Sequence, residues 1–271
     1  MGGYMESILK VDNLNYAYKD RIIFENLSLN IKKSEWVCIC GCNGCGKSTL
    51  IKILTGIIKT DENITVCNYN LKTNLYDVRR NIGVVFSDID NMFLCETVRD
   101  DLIYVLENLG FTTNEIDRRI DEVSKYLGIG KFLDLPASFL SGGEKSLCAL
   151  GIAIVGRPRI LFLDEAFSMI DNSRKIEIFK YLKKLNKDGL TIVNVTHDLS
   201  EAYFCDRVIV ISNKRVILSG KPVTVFKKDK VLKSCGIGIP FEIELSSKLM
   251  LYGLIPNLEV DIRDLVEVIW K

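Results

Sequence analysis

Glutamine is missing from this sequence of 271 residues, and histidine occurs once, as His197. Neither sign of charge is in excess, since 36 basic residues face 35 acidic ones, and the net charge of +1 gives no electrostatic footprint for nucleic acid. No apolar run approaches the ~18 residues that a membrane-spanning helix needs. The start of the chain also lacks the basic region and apolar core of a secretory signal. We therefore expect a protein of the cytosol, with a membrane-bound partner left open.

The stretch GCNGCGKST matches the phosphate-binding pattern G-x-x-x-x-G-K-[S/T]. An apolar run typical of a buried strand, Trp36 to Cys40, precedes it, and a segment at helical spacing follows it. Glycines between a strand and a helix let backbone N–H groups wrap around a polyphosphate at the helix N-terminus. The sequence therefore predicts a nucleotide-binding loop in which Lys47 reaches the β- and γ-phosphates and Ser48 holds Mg²⁺. The loop residues are Gly41, Cys42, Asn43, Gly44, Cys45, Gly46, Lys47, Ser48 and Thr49.

Four of the nine cysteines lie in this strand and loop, namely Cys38, Cys40, Cys42 and Cys45. A metal bound by them would compete with the phosphates for the same backbone, which disfavours a metal site. We expect reduced thiols. We also expect Cys45 to be sensitive to oxidation, because a helix N-terminus lowers the pKa of a thiol.

Two acidic residues end the apolar strand that is predicted from Arg159 to Glu165. The carboxyl ends of strands line the ligand crevice of an open α/β sheet. Asp164 is therefore a candidate Mg²⁺ ligand, and Glu165 is placed to orient and deprotonate an attacking water. His197 follows the next predicted buried strand, Leu190 to Val195, where its position favours contact with the terminal phosphate. A structural role is the alternative for this single histidine.

The segment LSGGE predicts the start of a further helix, with Ser141 and Glu144 as a capping box. Gly142 and Gly143 would stand in its first turn, where each costs ~1 kcal/mol relative to alanine. Two such glycines indicate a need for exposed N–H groups, and so a second anion site at a helix N-terminus.

Strands are predicted from Ile8 to Leu14 and from Ile22 to Ile31, and Tyr18 stands just before the turn between them. Tyr18 either packs on a sheet face or stacks on an adenine ring, and spacing alone leaves both interpretations open.

Periodicity, with Asn114 as a helix cap, predicts an inserted helical subdomain at about residues 90–155. Beyond about residue 230, two stripes of apolar residues at helical spacing predict short amphipathic helices. Their apolar faces need to pack on a surface, either of their own domain or of a partner. These stripes are Phe241, Leu245, Leu249 and Tyr252, and Ile262, Leu265, Val266 and Ile269.

Taken together, these residues resemble the ATPase cassette of ATP-binding cassette (ABC) transporters, over residues about 6–225. The phosphate loop, the LSGGE signature, the ILFLDE strand, the SMID segment and the dipeptide TH stand in the order of that family. The resemblance implies an α/β P-loop NTPase fold at residues 6–230, with a RecA-like core, an antiparallel β subdomain and a helical subdomain. It also implies a small α-helical dimerisation extension at residues 231–271.

The resemblance further implies roles for single residues. Tyr18 would be the adenine-stacking aromatic residue, Asp171 the acidic residue of the D-loop, and His197 the switch histidine that acts with Glu165 and Lys47. Because the family works as dimers that bind ATP and Mg²⁺, the signature would contact the ATP of the partner. The signature residues are Ser141, Gly142, Gly143 and Glu144.

A closer resemblance covers nearly the whole chain. FSDIDNMFLCETVRDDLIYVLENLG is similar to the segment FxNPDNQFxxxTVxDDVAFGLEN of energy-coupling-factor (ECF) transporter ATPases, and GIGIPFEIELSSKLMLYG is similar to their dimerisation region. The asparagine in GCNGCGKST and the segment EAFSMID resemble the first of the two paired ATPases. The resemblance implies a peripheral ATPase on the cytoplasmic side of the cell membrane. It would pair with a second ABC ATPase and drive uptake of vitamins or other micronutrients through a membrane T component and separate S components.

One departure from the family concerns the Q-loop, whose glutamine aligns with Ser87. Serine is too short to bridge the metal and a transmembrane helix, so we expect Asp88, Asp90 or a water to substitute for the glutamine. Three other functions stay open: a cobalt or nickel importer ATPase, a non-transport ABC protein acting on ribosomes or DNA, and a degenerate regulatory cassette.

Overall fold

The polypeptide folds around two β-sheets, and the computed structural model describes residues 6–239, 241–256 and 262–270. The strands are β1 (Ser7–Tyr18), β2 (Arg21–Lys32), β3 (Trp36–Cys40), β4 (Ile64–Val66), β5 (Tyr69–Asn70), β6 (Ile82–Val85), β7 (Ile160–Asp164), β8 (Thr191–Thr196), β9 (Arg207–Ser212) and β10 (Arg215–Gly220). The helices are α1 (Lys47–Leu54), α2 (Leu75–Asn81), α3 (Val98–Leu109), α4 (Thr113–Leu127), α5 (Gly142–Val155), α6 (Asn172–Lys187), α7 (Pro222–Phe226), α8 (Asp229–Ser234), α9 (Phe241–Leu251) and α10 (Ile262–Ile269). Four strands form an antiparallel sheet in the order β2-β1-β4-β5, and six form a second sheet in the order β10-β9-β3-β8-β7-β6.

The six-stranded sheet is the centre of the molecule. Its strands β9, β3, β8, β7 and β6 are parallel, and only β10 runs antiparallel, at the edge. Every residue of β3, β7 and β8 is buried. Strands of a parallel sheet covered on both faces read as continuous apolar runs, and this is how these three strands were predicted. One face packs on α1 and the antiparallel sheet, and the other packs on α3 to α6.

The register of the central strands decides where the site lies. Cys40 pairs with Thr196, and Asp164 pairs with Val195, so β3, β7 and β8 end at nearly the same level. The residues that follow these strands therefore share one edge of the sheet. The phosphate loop begins directly after β3, Glu165 directly follows β7, and His197 directly follows β8.

A helical region formed by α3, α4 and α5 lies between β6 and β7, as the sequence predicts. The cap predicted at Asn114 is wrong, because α4 begins at Thr113. The Glu115 carboxylate accepts hydrogen bonds from the Thr112 N–H at 3.0 Å and the Thr112 hydroxyl at 2.8 Å. Threonine and asparagine are both favoured caps, and the glutamate three residues after Thr112 decides between them.

The segment after β10 packs back on the same core. Val225, Phe226 and Leu232 are buried there, so the boundary predicted at residue 230 falls inside α8. Part of the predicted extension, residues 240, 257–261 and 271, lies outside the described residues. Within the residues that the structure describes, no helix is long and apolar enough to cross a bilayer.

The two ends of the first predicted stripe, Phe241 and Tyr252, are not covered by the part of this chain that the structure describes, so a partner as the covering surface stays a prediction. On α9 the buried residues are Ile243 and Ser246, whereas Phe241, and Tyr252 just after the helix, are exposed. Apolar residues stand on both sides of α9, so periodicity alone does not select the buried side.

In the second stripe the burial is mixed. Leu265 is buried, and Val266 and Ile269 are exposed. The side chain of Ile262 lies outside the described part of the chain.

Candidate functional site

The phosphate loop connects the buried strand β3 to helix α1. Gly44 and Gly46 have φ values of 77° and 104°, a backbone region that favours glycine. A β-carbon on Gly46 would lie 2.6 Å from Ile23, so no other residue fits there. Helix α1 begins without a side-chain cap, which leaves its first N–H groups available to an anion.

Lys47 is buried inside the curl of this loop. Its ammonium donates hydrogen bonds to the carbonyl oxygens of Gly41 at 2.9 Å and Cys42 at 3.2 Å. The loop thus holds a buried positive charge beside a helix N-terminus, an arrangement suited to a polyphosphate.

Oxygen atoms from three segments converge beside the loop. The Ser48 hydroxyl donates to Asp164 Oδ1 at 3.0 Å, and the Ser87 hydroxyl donates to Asp164 Oδ2 at 3.4 Å. Asp164 is buried, and its burial raises the pKa of the carboxyl against the opposing hydrogen bond from Ser48. Hard oxygen donors around one buried carboxylate fit Mg²⁺, which is typically held by one or two carboxylates together with substrate phosphates.

Ser87, at the Q-loop position, is long enough to contact Asp164. The bridge from the metal to a transmembrane helix, for which Asp88, Asp90 or a water is the expected substitute, stays a prediction. Asp90 pairs with Lys145 at 2.6 Å, and Asp88 accepts a hydrogen bond from Asn91.

Glu165 and His197 form a second group of functional side chains at this edge of the sheet. His197 Nδ1 lies 2.7 Å from Glu165 Oε2, and the Glu165 N–H donates to the Val195 carbonyl at 2.9 Å. The backbone of Glu165 has a φ of 53°, an uncommon conformation for a non-glycine residue. Such backbone conformations cluster at functional sites, and this one turns the carboxylate toward the histidine.

The signature segment starts α5 with the predicted capping box. The Glu144 carboxylate accepts hydrogen bonds from the Ser141 N–H at 2.9 Å and hydroxyl at 2.8 Å, and the first of these bonds is the main cause of the lowered pKa of Glu144. The glycines have a steric reason that the sequence did not reveal. A β-carbon on Gly142 would lie 2.4 Å from Met169 Sδ, and one on Gly143 would lie 2.8 Å from the Met169 carbonyl oxygen. The segment around Met169 therefore packs directly on the signature.

Asp171, the predicted D-loop acid, caps helix α6. Its Oδ1 accepts a hydrogen bond from the Arg174 N–H at 2.9 Å, and the pKa of Asp171 is lowered, first by its hydrogen bond from the Ser173 hydroxyl. The signature lies on α5, which packs on α3 and α4, whereas the phosphate loop lies between β3 and α1. Within one chain, then, the structure brings Ser48, Asp164 and Ser87 into one group and Glu165 and His197 into another. The signature lies away from both groups, in the helical layer of α3, α4 and α5.

Tyr18 ends β1 and is 63% exposed, which disfavours a packing role on the sheet. Tyr16, two residues earlier, is partly buried against the core. A cavity of about 550 Å³ lies beside the phosphate loop, lined by the β1–β2 turn, the loop at residues 42–45 and the β9–β10 turn at residues 212–214.

All nine cysteines are free thiols. No group of three or more His, Cys, Asp or Glu suited to a metal is found among the described residues. The expected lowering of the Cys45 pKa is wrong, because burial of the Cys45 side chain raises it above the ordinary value.

One contact near the site escaped the sequence reasoning. Lys145, in the first turn of α5, pairs with Asp90 in the turn Ile89–Met92 after β6. The partners are 55 positions apart, and no local pattern links them. This ion pair joins the signature helix to the segment that carries Ser87.

Comparison with known proteins agrees with this geometry. The family model described as ABC transporter matches residues 24–168. The energy-coupling factor transporter ATP-binding protein EcfA1 of Leuconostoc mesenteroides is 37% identical over 97% of this chain and 97% of its own length. Among solved structures, cbiO1 from Clostridium perfringens, part of the ABC transporter complex cbiONQ, is 35% identical, covers 87% of this chain and 96% of its own, and has a TM-score of 0.73. The ATP-binding cassette MJ0796, in a dimeric post-hydrolysis state bound to ADP and Pi, is 29% identical over 79% of this chain and 98% of its own, with a TM-score of 0.73. The matched segment, the full-length similarity and the edge of the sheet that carries Lys47, Asp164 and Glu165 lead to one conclusion: the chain belongs to the ABC transporter family.

Proposed function

We propose that the chain hydrolyses MgATP as one half of a closed dimer, and that this cycle powers an ECF-type importer. The observation that carries the proposal is the meeting of five side chains at one edge of the parallel sheet. Lys47 and Ser48 stand there with Asp164, and Glu165 stands with His197. A protein that only binds nucleotide needs the loop, but it needs no carboxylate held by a histidine beside it.

Binding begins in the phosphate loop. Lys47 exchanges its two carbonyl partners for phosphate oxygens, and the N–H groups at the start of α1 donate to the same phosphates. Tyr18 stacks on the adenine ring, which its exposed face allows. The cavity beside the loop has room for the nucleoside.

Bound Mg²⁺ supplies charge neutralisation at the β- and γ-phosphates. Ser48 and Asp164 would hold it, with the Ser87 hydroxyl beside them. Glu165 orients a water for in-line attack on the γ-phosphate and accepts its proton. His197 orients the Glu165 carboxylate through their hydrogen bond. The same histidine would also contact the γ-phosphate.

The other side of each ATP comes from a second cassette. Ser141, Gly142 and Gly143 present the N–H groups of the first turn of α5 to the partner's ATP, while the Glu144 carboxylate is occupied in the cap. The dimeric state of the related cassette MJ0796 supports this arrangement. We infer a heterodimer with a second ABC ATPase, because the chain resembles the first member of such pairs.

The membrane partner would dock in a groove between α2, α3 and α5. This groove has a volume of about 610 Å³ and presents the exposed rings of Tyr76 and Tyr104 together with Arg80. Tyrosine and arginine are enriched in protein interfaces, which suits a helix of a T component. The chain would then lie on the cytoplasmic side of the cell membrane, and S components would deliver vitamins or other micronutrients to the T component.

A substitution at Glu165 tests the proposal. We expect Glu165→Gln to keep MgATP binding and to lower turnover by at least ~10²-fold, because the amide cannot accept the proton of the attacking water. Turnover is measured as phosphate release by the complex assembled with its partner cassette, and binding is measured by calorimetry. Glu107→Gln, an exposed glutamate on α3, is the matched control and should behave as wild type. Near-normal turnover of Glu165→Gln would refute the role of Glu165.

A further inference from the structure

Two cysteines face each other across the turn of the phosphate loop. The Cys45 N–H donates a hydrogen bond to the Cys42 carbonyl at 3.2 Å, which closes a four-residue turn. A turn of this kind holds its first and fourth α-carbons within ~7 Å, and disulfides join α-carbons that are roughly 4.4–6.8 Å apart. The turn therefore brings the two α-carbons close to the range that a disulfide spans.

Both thiols can be reached from solvent. Cys42 and Cys45 are partly exposed, and both line the cavity of about 550 Å³ beside the loop. A second close pair, Cys38 and Cys40, has its sulfur atoms 3.3 Å apart but is completely buried. Hydrogen bonds among the thiols of Cys38, Cys40 and Cys205, together with burial, hold the pKa values of Cys38 and Cys40 well above the ordinary range, so that pair is inert.

Cys42 has one rival partner. Gly236 packs against it, since a β-carbon on Gly236 would lie 3.6 Å from the Cys42 β-carbon, and the partly exposed Cys235 precedes that glycine. No turn hydrogen bond joins Cys235 to the loop in the described residues, whereas one joins Cys45 to Cys42. The geometry therefore favours the pair within the loop.

We propose that Cys42 and Cys45 are a modification site, a dithiol that low-molecular-weight disulfides oxidise to a reversible disulfide that closes the phosphate loop to MgATP. This inference takes from the proposed function only that the loop binds the triphosphate.

The chemistry is thiol–disulfide exchange. The Cys42 thiolate attacks one sulfur of the small disulfide, whose S–S bond breaks and releases one small thiol. The Cys45 thiol then loses its proton and attacks the Cys42 sulfur of the mixed disulfide, which releases the second small thiol. Two electrons leave the protein thiols, and the oxidant ends as two thiols. Burial raises the pKa of Cys45, which disfavours its thiolate as the first attacking group.

The position of Lys47 explains why the crosslink would block binding. The ammonium of Lys47 donates to the carbonyls of Gly41 and Cys42, and a phosphate must replace these partners. A Cys42–Cys45 bond fixes the turn that holds the Cys42 carbonyl, and so fixes that carbonyl beside Lys47. In turn, a bound triphosphate covers the loop and slows its oxidation.

The test uses the full-length protein and oxidised glutathione as the probe. After free thiols are blocked, peptide mass spectrometry identifies which cysteines are joined, and calorimetry gives the affinity for MgATP in the reduced and oxidised states. We expect a Cys42–Cys45 bond and an affinity lower by at least about tenfold, which corresponds to ~1.4 kcal/mol, with full recovery in dithiothreitol. Prior addition of MgATP should slow formation of the bond.

Each variant is compared with its own reduced form. Oxidation should leave the MgATP affinity of Cys42→Ser unchanged and should stop at the mixed disulfide of Cys42 in Cys45→Ser, whereas Cys235→Ser and Cys95→Ser should respond as wild type does. In the wild type, a stable mixed disulfide without crosslink, a Cys42–Cys235 bond, or a crosslinked loop with unaltered affinity would each overturn the proposal. If the reduced wild type fails to bind MgATP, that result contradicts the proposed function instead. The disulfide is still tested in that case, because mass spectrometry detects it without reference to MgATP binding.

Discussion

At the single residue Asp164, the requirements of a metal site lower the stability of the folded protein. Its carboxylate is buried, and its hydrogen-bond partners are the hydroxyls of Ser48 and Ser87 rather than a cationic side chain. Burial raises its pKa, so the native state binds the Asp164 proton more tightly than the unfolded chain does. The stability that this proton contributes is present at acid pH and is lost as the pH rises through the raised native pKa. At neutral pH, the empty protein carries a buried charge whose natural partner is a cation.

We predict that Asp164→Asn raises the free energy of unfolding of the nucleotide-free protein at neutral pH while abolishing Mg²⁺-dependent hydrolysis. The amide keeps the shape of the carboxylate without its charge, so the gain over wild type should vanish below the pKa of an unfolded aspartate, about 3.9. Urea denaturation across this pH range provides the measurement. Asp117→Asn, at an exposed position on α4, is the control and should show no such pH-dependent gain. A variant no more stable than wild type at neutral pH would contradict the account.

Among the elements, the buried strands were the easiest to predict and the ends of helices the hardest. Continuous apolar runs fixed β3, β7 and β8, and the motifs that follow these strands placed Lys47 and Glu165 at one edge. Contacts across the fold could not be predicted in this way. The reach of Ser87 to Asp164 depends on the path of a loop, and the packing of Met169 on Gly142 joins segments whose sequences share no pattern.

The start of α4 provides a test at this scale. Thr112→Ala should lower the free energy of unfolding by about 1 kcal/mol, the usual effect of losing a threonine cap. The loss is expected because alanine lacks the hydroxyl that donates to Glu115 at 2.8 Å, and it is measured by chemical denaturation. Asn114→Ala is the matched control, since Asn114 is exposed within the helix. A larger loss for Asn114→Ala than for Thr112→Ala would restore Asn114 as the cap.

For the whole molecule, the C-terminal helices serve two surfaces. Leu232, Ile237 and Ile243 belong to the core of the cassette, so removing residues 231–271 would uncover that core. Phe241 and Tyr252, at the two ends of α9, are exposed to solvent, with Tyr252 77% exposed. Both lie in the extension for which the resemblance to ECF ATPases implies dimerisation, and exposed apolar surface is where partners bind.

We therefore predict that the double variant Phe241→Ser/Tyr252→Ser weakens pairing with the partner cassette at least about tenfold, the effect of losing ~1.4 kcal/mol of apolar contact. Binding of MgATP and thermal stability should stay as in wild type, since both side chains are exposed. Analytical ultracentrifugation measures the pairing. Ile57→Ser, at another exposed apolar position, serves as the control. Unchanged pairing of the double variant would show that the dimer forms elsewhere.

The packing of Met169 on Gly142 and Gly143 has a consequence for the assembled pair. Met169 stands four positions after Glu165, and no β-carbon separates it from the signature backbone. In the proposed dimer, a movement of Glu165 after phosphate release would reach, through Met169, the turn that contacts the ATP of the neighbouring molecule. We expect the two hydrolysis sites of such a pair to be coupled through this contact.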